Sequence, residues 1–256
     1  MNLYEAIFVR RTIRNFRMEP LDQKILDQLL NFTKHLTIPY KEQPVRFEII
    51  DNLKSKKYLG GIFSIKAPYY LALYTDKTVD AMINAGCILE QLSLYLLTKG
   101  IGSCFMELHK INMVSASDGN HKAMLVMPFG KTDQIMMKDS RKVNRLGLEE
   151  LCSFKEETDA NIMMILKAAR LAPSAMNNQP WRFVVYDNRI HVFCKKERLT
   201  VLQYKEVKLL DIGIMLANLL IAAEEMWLNA EVGKKELLAE KEYKKNEYIC
   251  TVSLRG

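Results

Sequence analysis

Apolar and polar positions along this chain follow two rhythms. From Leu3 to Val9, from Ile25 to His35 and from Asn161 to Leu171, apolar residues recur every three or four positions, which predicts amphipathic helices. The same rhythm over Ala85–Lys99 and Ile212–Trp227 predicts two longer helices. Between them lie short apolar and β-branched runs: Glu48-Ile49-Ile50, Ala123–Met127, Val184-Val185-Tyr186 and Tyr248–Val252. These predict strands.

The order of elements repeats. Gln43-Pro44-Val45-Arg46-Phe47 returns as Gln179-Pro180-Trp181-Arg182-Phe183, and Gly86 in the first long helix returns as Gly213 in the second. Two unrelated amphipathic patterns would share the periodicity by chance but not the QPxRF string. Each half therefore reads helix, helix, strand, strand, long helix, strand, a pattern that fits an α+β class in which helices cover a sheet. The expected boundaries are residues 1–142 and 143–256, with the halves forming one unit.

Composition narrows the options. The 256 residues are enough for one large domain or two small ones. The start of the chain has an acid at Glu5 and too short an apolar run for a signal peptide. The most continuous apolar stretch, Ile212–Ala223, contains Asn218 and is too short to cross a bilayer. No membrane association and a cytoplasmic location are therefore expected. Five scattered cysteines without a CxxC pair suit reduced thiols. Four histidines without HExxH or HxH spacing predict no metal site. The net charge of +7 is spread along the chain, and the Lys234–Lys245 segment interleaves bases with acids as a solvated face does. No nucleic-acid motif accompanies that charge.

Two segments carry candidate chemistry. Arg10-Arg11-Thr12-Ile13-Arg14 follows the first helix, and in extended backbone Arg10, Thr12 and Arg14 share a face. Two guanidinium groups and a hydroxyl suit a phosphate monoester, although a solvated basic turn would look the same. Ala172-Pro173-Ser174-Ala175-Met176-Asn177-Asn178-Gln179-Pro180-Trp181-Arg182-Phe183 joins a helix to a strand. Its prolines stiffen a turn that could aim Ser174, Asn177 and Gln179 at a polar, planar ligand. Such a string also serves as a plain connector.

Taken whole, the second segment closely resembles the APSxxNxQPWxF signature of the FMN-dependent nitroreductase-like flavoproteins. The first resembles their RxSxR phosphate clamp, with Thr12 in the serine position. This resemblance implies a nitroreductase-like fold of two similar halves, each with a small, mostly antiparallel sheet, packed as a pseudo-dimer. It implies an oxidoreductase in which FMN carries the chemistry, so that no catalytic side chain is required. NAD(P)H would reduce a nitroaromatic or quinone-like acceptor in two steps. Arg10, Thr12 and Arg14 would hold the phosphate, and Pro173, Ser174 and Asn177 the flavin ring. Glu107 and Leu108 would lie beside the ring, and Arg141 would add a phosphate contact from a KxRK-like element in which Asp139 departs from the pattern. Gly100 before that loop also has the place of a helix C-cap.

Family members of this kind are homodimers in which the clamp and the turn come from different subunits. Here both lie in one chain, while their counterparts, Thr37–Lys41 and Leu146–Glu150, have lost the matching residues. The expectation is one FMN site between the halves, in a monomer (pseudo-dimer) or weak homodimer. A flavin store or sensor without turnover is the alternative, and a helical interaction protein without flavin a third reading.

Overall fold

Arg46-Phe47 and Trp181–Phe183, the ends of the two repeated strings, each lie at the start of a strand in a mostly antiparallel sheet. The computed structural model describes residues 1–43, 45–55, 65–76, 78–107, 125–139, 143–196, 202–238 and 241–256. They fall into two units. The first comprises Met1–Leu36, Pro44–Asp76 and Gln91–Asp139, and the second Thr37–Gln43, Lys77–Glu90 and Ser140–Gly256. Sequence periodicity places one cut near residue 142, whereas the contacts group two segments of the first half with the second.

In the first unit, helix α1 (Leu3–Val9) starts at a reciprocal cap. The Glu5 N–H donates to Asn2 Oδ1 at 2.8 Å, and the Asn2 N–H to the Glu5 carboxylate at 2.9 Å. Helix α2 (Gln23–Phe32) is capped by Asp22, whose carboxylate accepts the Lys24 N–H. Strand β1 (Arg46–Asp51), helix α3 (Asn52–Ser55) and strand β2 (Tyr69–Tyr74) follow, and helix α4 (Val79–Thr98) belongs to this unit from Gln91 onward and to the second unit up to Glu90. Strands β3 (Gly102–Ser103), β4 (Met106–Glu107) and β5 (Leu125–Gly130) complete the unit. The sheet order is β1-β2-β5-β3, with β4 also on β5, and every pairing is antiparallel. Ala67, Tyr70, Ala72, Met106 and Val126 form a core cluster against this sheet.

Helix α4 is long and apolar enough to cross a membrane by length and composition, and 89% of its most apolar window is buried in the protein. Asn84, Glu90, Gln91 and Ser93 interrupt its apolar sequence, and all four are buried. The helix ends as its glycine predicts. Gly100 takes φ +73, its N–H donates to Leu97 O at 2.9 Å, and the Ile101 N–H reaches Leu96 O at 2.9 Å. This is a Schellman cap.

The second unit contains α5 (Leu148–Leu151), β6 (Cys152–Phe154), α6 (Ala160–Arg170), β7 (Trp181–Val185), β8 (Arg189–Lys195), α7 (Leu202–Glu225), β9 (Asn229–Gly233), β10 (Glu242–Tyr243) and β11 (Asn246–Arg255). Its sheet runs β10-β11-β8-β7-β6, with β9 on β11. The path β7-β8-β11-β9 has the order and antiparallel sense of β1-β2-β5-β3. Only β6, parallel to β7, breaks that sense among the described strands. The fold is thus α+β with mostly antiparallel sheets covered by helices, as the residue pattern and the resemblance led us to expect.

The repeated glycines meet inside the second unit. A Cβ built on Gly86 would lie 2.1 Å from Leu210 O, and one on Gly213 would lie 2.0 Å from Ile83 O. Helices α4 and α7 therefore cross with their backbones in contact, and no larger residue fits either position.

Candidate functional site

The clamp segment lies wholly in the first unit. Val9 is the last residue of α1, and Arg10 is already extended, with φ −54 and ψ 133. An isolated antiparallel bridge joins Arg10 to Met137. Two backbone hydrogen bonds continue it, Arg11 N–H to Met136 O at 3.1 Å and Lys138 N–H to Val9 O at 2.8 Å. Ile13 anchors the other end: its N–H donates to Ser103 O at 3.0 Å, and its side chain is buried against Gly102. The Gln134 carboxamide oxygen accepts the N–H groups of both Arg14 and Asn15 at 3.2 Å.

This fixed backbone presents three different environments. Arg10 is buried and carries its guanidinium 5.6 Å from the centre of the Phe105 ring, Thr12 is partly buried, and Arg14 is exposed. Simple alternation predicts one shared face, and the graded burial shows that the segment is not a flat strand. The charges of both arginines are nevertheless felt at one neighbour. Burial pushes the Cys104 thiol pKa up, and the positive charges of Arg14 and Arg10 oppose that shift.

The proline-bounded turn is built in the second unit. After α6, Ser174 is extended and a single 3-10 turn covers Ala175–Asn177. Its backbone bonds run from Asn177 N–H to Ser174 O and from Asn178 N–H to Ala175 O, both 3.0 Å. Met176, Asn177 and Gln179 take left-handed φ of 49°, 58° and 46°. Asparagine tolerates that conformation, but Met176 and a Gln179 that precedes proline do not adopt it readily. Strain of this kind costs on the order of 1–3 kcal/mol per residue and persists only where surrounding contacts impose it.

Those contacts are present. The Ala175 N–H donates to both carboxylate oxygens of buried Asp211, at 3.1 and 3.2 Å. Ser174 Oγ accepts the Gln179 N–H at 2.9 Å, which leaves its own proton to donate elsewhere. Buried Gln179 accepts the Leu146 N–H at 2.9 Å and donates to Asn177 O at 3.2 Å. Arg145 donates to Ala172 O at 3.2 Å and to the Asn177 carboxamide oxygen, and Asn177 Nδ2 donates to Asn144 O at 3.0 Å. Arg170 holds the same segment through Leu146 O and, at 3.1 Å, Arg145 O. Pro173, Ser174 and Asn177 are therefore brought together, with Asn177 bound to the Asn144 carbonyl and the Arg145 side chain as well as placed in the turn.

Arg145 and Asp211 were not singled out from the sequence. Their partners lie 27 to 36 positions away, and no local pattern marks them. The first-helix counterpart also shifts. Gly147 precedes α5, and the Glu150 carboxylate accepts its N–H at 3.0 Å. The segment that follows a helix as Arg10–Arg14 follows α1 is thus Cys152-Ser153-Phe154, which contains no arginine. Of the remaining expected contacts, Glu107 pairs with Leu125 through its backbone in β4. Leu108 and Arg141 lie outside the described residues. Among the described residues, no cluster of three metal-binding side chains occurs.

Comparison with known proteins completes the picture. A protein-family model described as "Putative TM nitroreductase" matches residues 2–223. A Thermotoga maritima protein described as a "putative nitroreductase" is similar in structure, with TM-score 0.66, 19% identity, and coverage of 99% of this chain and 93% of that one. A nitroreductase family protein from Clostridium difficile 630 gives TM-score 0.49 at 19% identity, covering 59% of this chain and 96% of its own. An FMN-dependent nitroreductase from Clostridium difficile R20291 gives 0.42 at 18%, covering 54% and 93%. None of the curated proteins matches the chain in sequence.

Proposed function

We propose, because the chain belongs to the nitroreductase family whose model it matches over residues 2–223, that it is an oxidoreductase holding one FMN per chain and using NAD(P)H to reduce nitroaromatic or quinone-like acceptors. The observation that carries this reading is the donor set. Arg10 and Arg14 flank Thr12 on a backbone pinned by Met136, Ser103 and Gln134, and a strained turn is held rigid by Asp211, Arg145 and Gln179. The first set fits a phosphate monoester, which guanidinium groups take in planar geometry. The second fits the polar edge of a flat heterocycle, because the Ser174 proton is left to donate.

When bound, FMN supplies the hydride-accepting and electron-donating chemistry that links NAD(P)H to the acceptor. The residues of the chain position it. In this reading Arg10, Thr12, Arg14 and Arg141 neutralise the phosphate, and Pro173, Ser174 and Asn177 orient the ring. Glu107 and Leu108 line its side through their backbone. The Asp211 and Arg145 contacts fix the turn before any ligand arrives, so little ordering entropy is lost on binding. The similar strand paths of the two units support an internal duplication in which only one clamp and one turn keep their functional residues.

Steady-state NADH and NADPH oxidation by the FMN-loaded protein, with menadione or a nitrofuran as acceptor, tests the activity. Acceptor-dependent oxidation is expected, and a flavin-loaded protein without it would make the chain a flavin store or sensor. Arg14→Ala should weaken FMN binding about 10- to 100-fold, as the loss of a charged hydrogen-bond donor does. Unchanged affinity would remove the clamp from the account.

A further inference from the structure

Strands β10 and β11 form a hairpin whose turn is chemically unusual. Glu242 pairs with Glu247 and Tyr243 with Asn246, so the connection is the two residues Lys244-Lys245. Both take left-handed φ, 48° and 65°. A two-residue turn of that type is ordinarily Asn-Gly or Asp-Gly, because a Cβ opposes the conformation. Neither lysine offers the local side-chain hydrogen bond that lets asparagine tolerate it. The turn is supported from outside, by Asn246 Nδ2 donating to Tyr243 O at 2.8 Å and Lys244 O at 3.1 Å. Two ammonium groups are thus held where an uncharged pair would fold with less strain.

A cleft of about 590 Å³ in the second unit is lined by both lysines. Its other cations are Arg182, Lys195 and Lys196. Against these five stand three carboxylates, Glu149, Glu150 and Glu242, which leaves a net charge of +2. Glu242 is paired with Lys196, and Glu150 accepts the Gly147 N–H. Lys195, Lys244 and Lys245 form no ion pair among the described residues. Arg182 is partly buried, and one of its terminal nitrogens donates to Gln179 O at 3.0 Å and Trp181 O at 2.6 Å. Tyr243 donates its hydroxyl to Ser153 Oγ at 2.8 Å, so the Ser153 proton can point to a further acceptor. The Lys244 and Lys155 ammonium groups lie 5.4 and 5.7 Å from the centre of the Tyr243 ring and add positive charge at this wall.

We infer that this cleft binds a phosphate-bearing small molecule, with Lys195, Lys244, Lys245 and Arg182 as the counter-charges and Ser153 as a neutral donor. A phosphate monoester carries roughly −1.5 to −2 at neutral pH, which matches the surplus of the lining. The reading is independent of the FMN proposal, since none of these residues belongs to the clamp or to the ring contacts.

Calorimetric titration with pyrophosphate, inorganic phosphate and AMP tests it. The Arg10→Ala/Arg14→Ala protein serves as the parent, so that clamp binding does not contribute. Pyrophosphate should bind with one site per chain and lose affinity as salt rises. Lys244→Asn/Lys245→Gly is the decisive variant, because it restores the preferred turn. It should raise Tm while weakening pyrophosphate binding at least tenfold. Lys195→Ala should weaken binding without altering the turn. Inorganic phosphate binding as well as AMP would make free phosphate the ligand, and AMP binding tenfold tighter would make it a nucleotide. No binding of any of the three at millimolar concentration, or unchanged affinity in Lys244→Asn/Lys245→Gly, would overturn the inference.

Discussion

Replacing Gly86 by alanine isolates the contact between α4 and α7. The new Cβ would lie 2.1 Å from Leu210 O and 3.1 Å from the Gly213 Cα. Ordinary contact begins near 3.4 Å, so the helices must move apart locally by about 1.3 Å, the difference between 3.4 and 2.1. The atom in the way is backbone, so no side-chain rotation relieves the clash. Overpacking of this kind costs about 1–3 kcal/mol, and occasionally more. Alanine recovers up to about 1 kcal/mol through its better helix propensity. Taking the upper end of the packing cost, the net loss is about 2 kcal/mol, or about 4–8 °C in Tm for a chain of this size.

Two other glycines provide the controls. Gly233 has nothing within 4 Å of a built Cβ and no left-handed φ, so Gly233→Ala should change stability by less than about 0.5 kcal/mol. Gly100 also has free space but sits at φ +73, so Gly100→Ala should cost about 1 kcal/mol from backbone strain alone. Denaturant melts of the three variants, followed by circular dichroism, give the ranking. If Gly86→Ala melted with Gly233→Ala, the close helix crossing would be wrong.

Further outcomes follow from the same structure. Arg145→Ala removes the donor from Asn177 and Ala172, so amide exchange at Asn177 and Asn178 should accelerate and stability fall by about 1–3 kcal/mol, and Arg145→Lys should not restore it. Unaltered exchange would show that the turn holds itself. The His191 pKa is lowered, first by burial and then by the charges of Arg189 and Lys235. The folded state therefore favours the neutral ring, and its contribution is complete above the unfolded pKa near 6.5 and lost as pH falls below it. His191→Gln should flatten the decline in stability between about pH 7 and pH 5, and an unchanged pH profile would refute this. Burial also pushes the Cys152 thiol up to about 12, and Cys250 likewise to about 12. Both should resist iodoacetamide at pH 8 in the native protein and react rapidly once denatured. Fast labelling of the native protein would contradict that burial.

Much of the architecture was legible because burial leaves periodic traces. Helix α6 lies within one residue of its predicted start and end, β11 contains the run that predicted it, and β7 holds Val184 and Val185 of its run but ends before Tyr186. The short strands β3, β4, β6 and β10 were not legible, since two or three residues carry no period, and their pairing is imposed by β5, β7 and β11. Gly86 and Gly213 were visible as a repeat, yet their mutual contact depends on tertiary placement. The candidate site divides in the same way. Arg10–Arg14 and Ala172–Phe183 stand out as strings, whereas Asp211 lies just ahead of the predicted Ile212–Trp227 helix with no pattern to mark it. Its place under the turn follows only from how α7 packs.

The proposed function requires one FMN per chain, held through Arg10 and Arg14. Titrating the purified apoprotein with FMN, followed by the shift in visible absorbance on binding, measures it directly. One equivalent per chain is predicted, with stoichiometric binding lost in Arg10→Ala/Arg14→Ala. Two equivalents per chain, or none, would contradict the account.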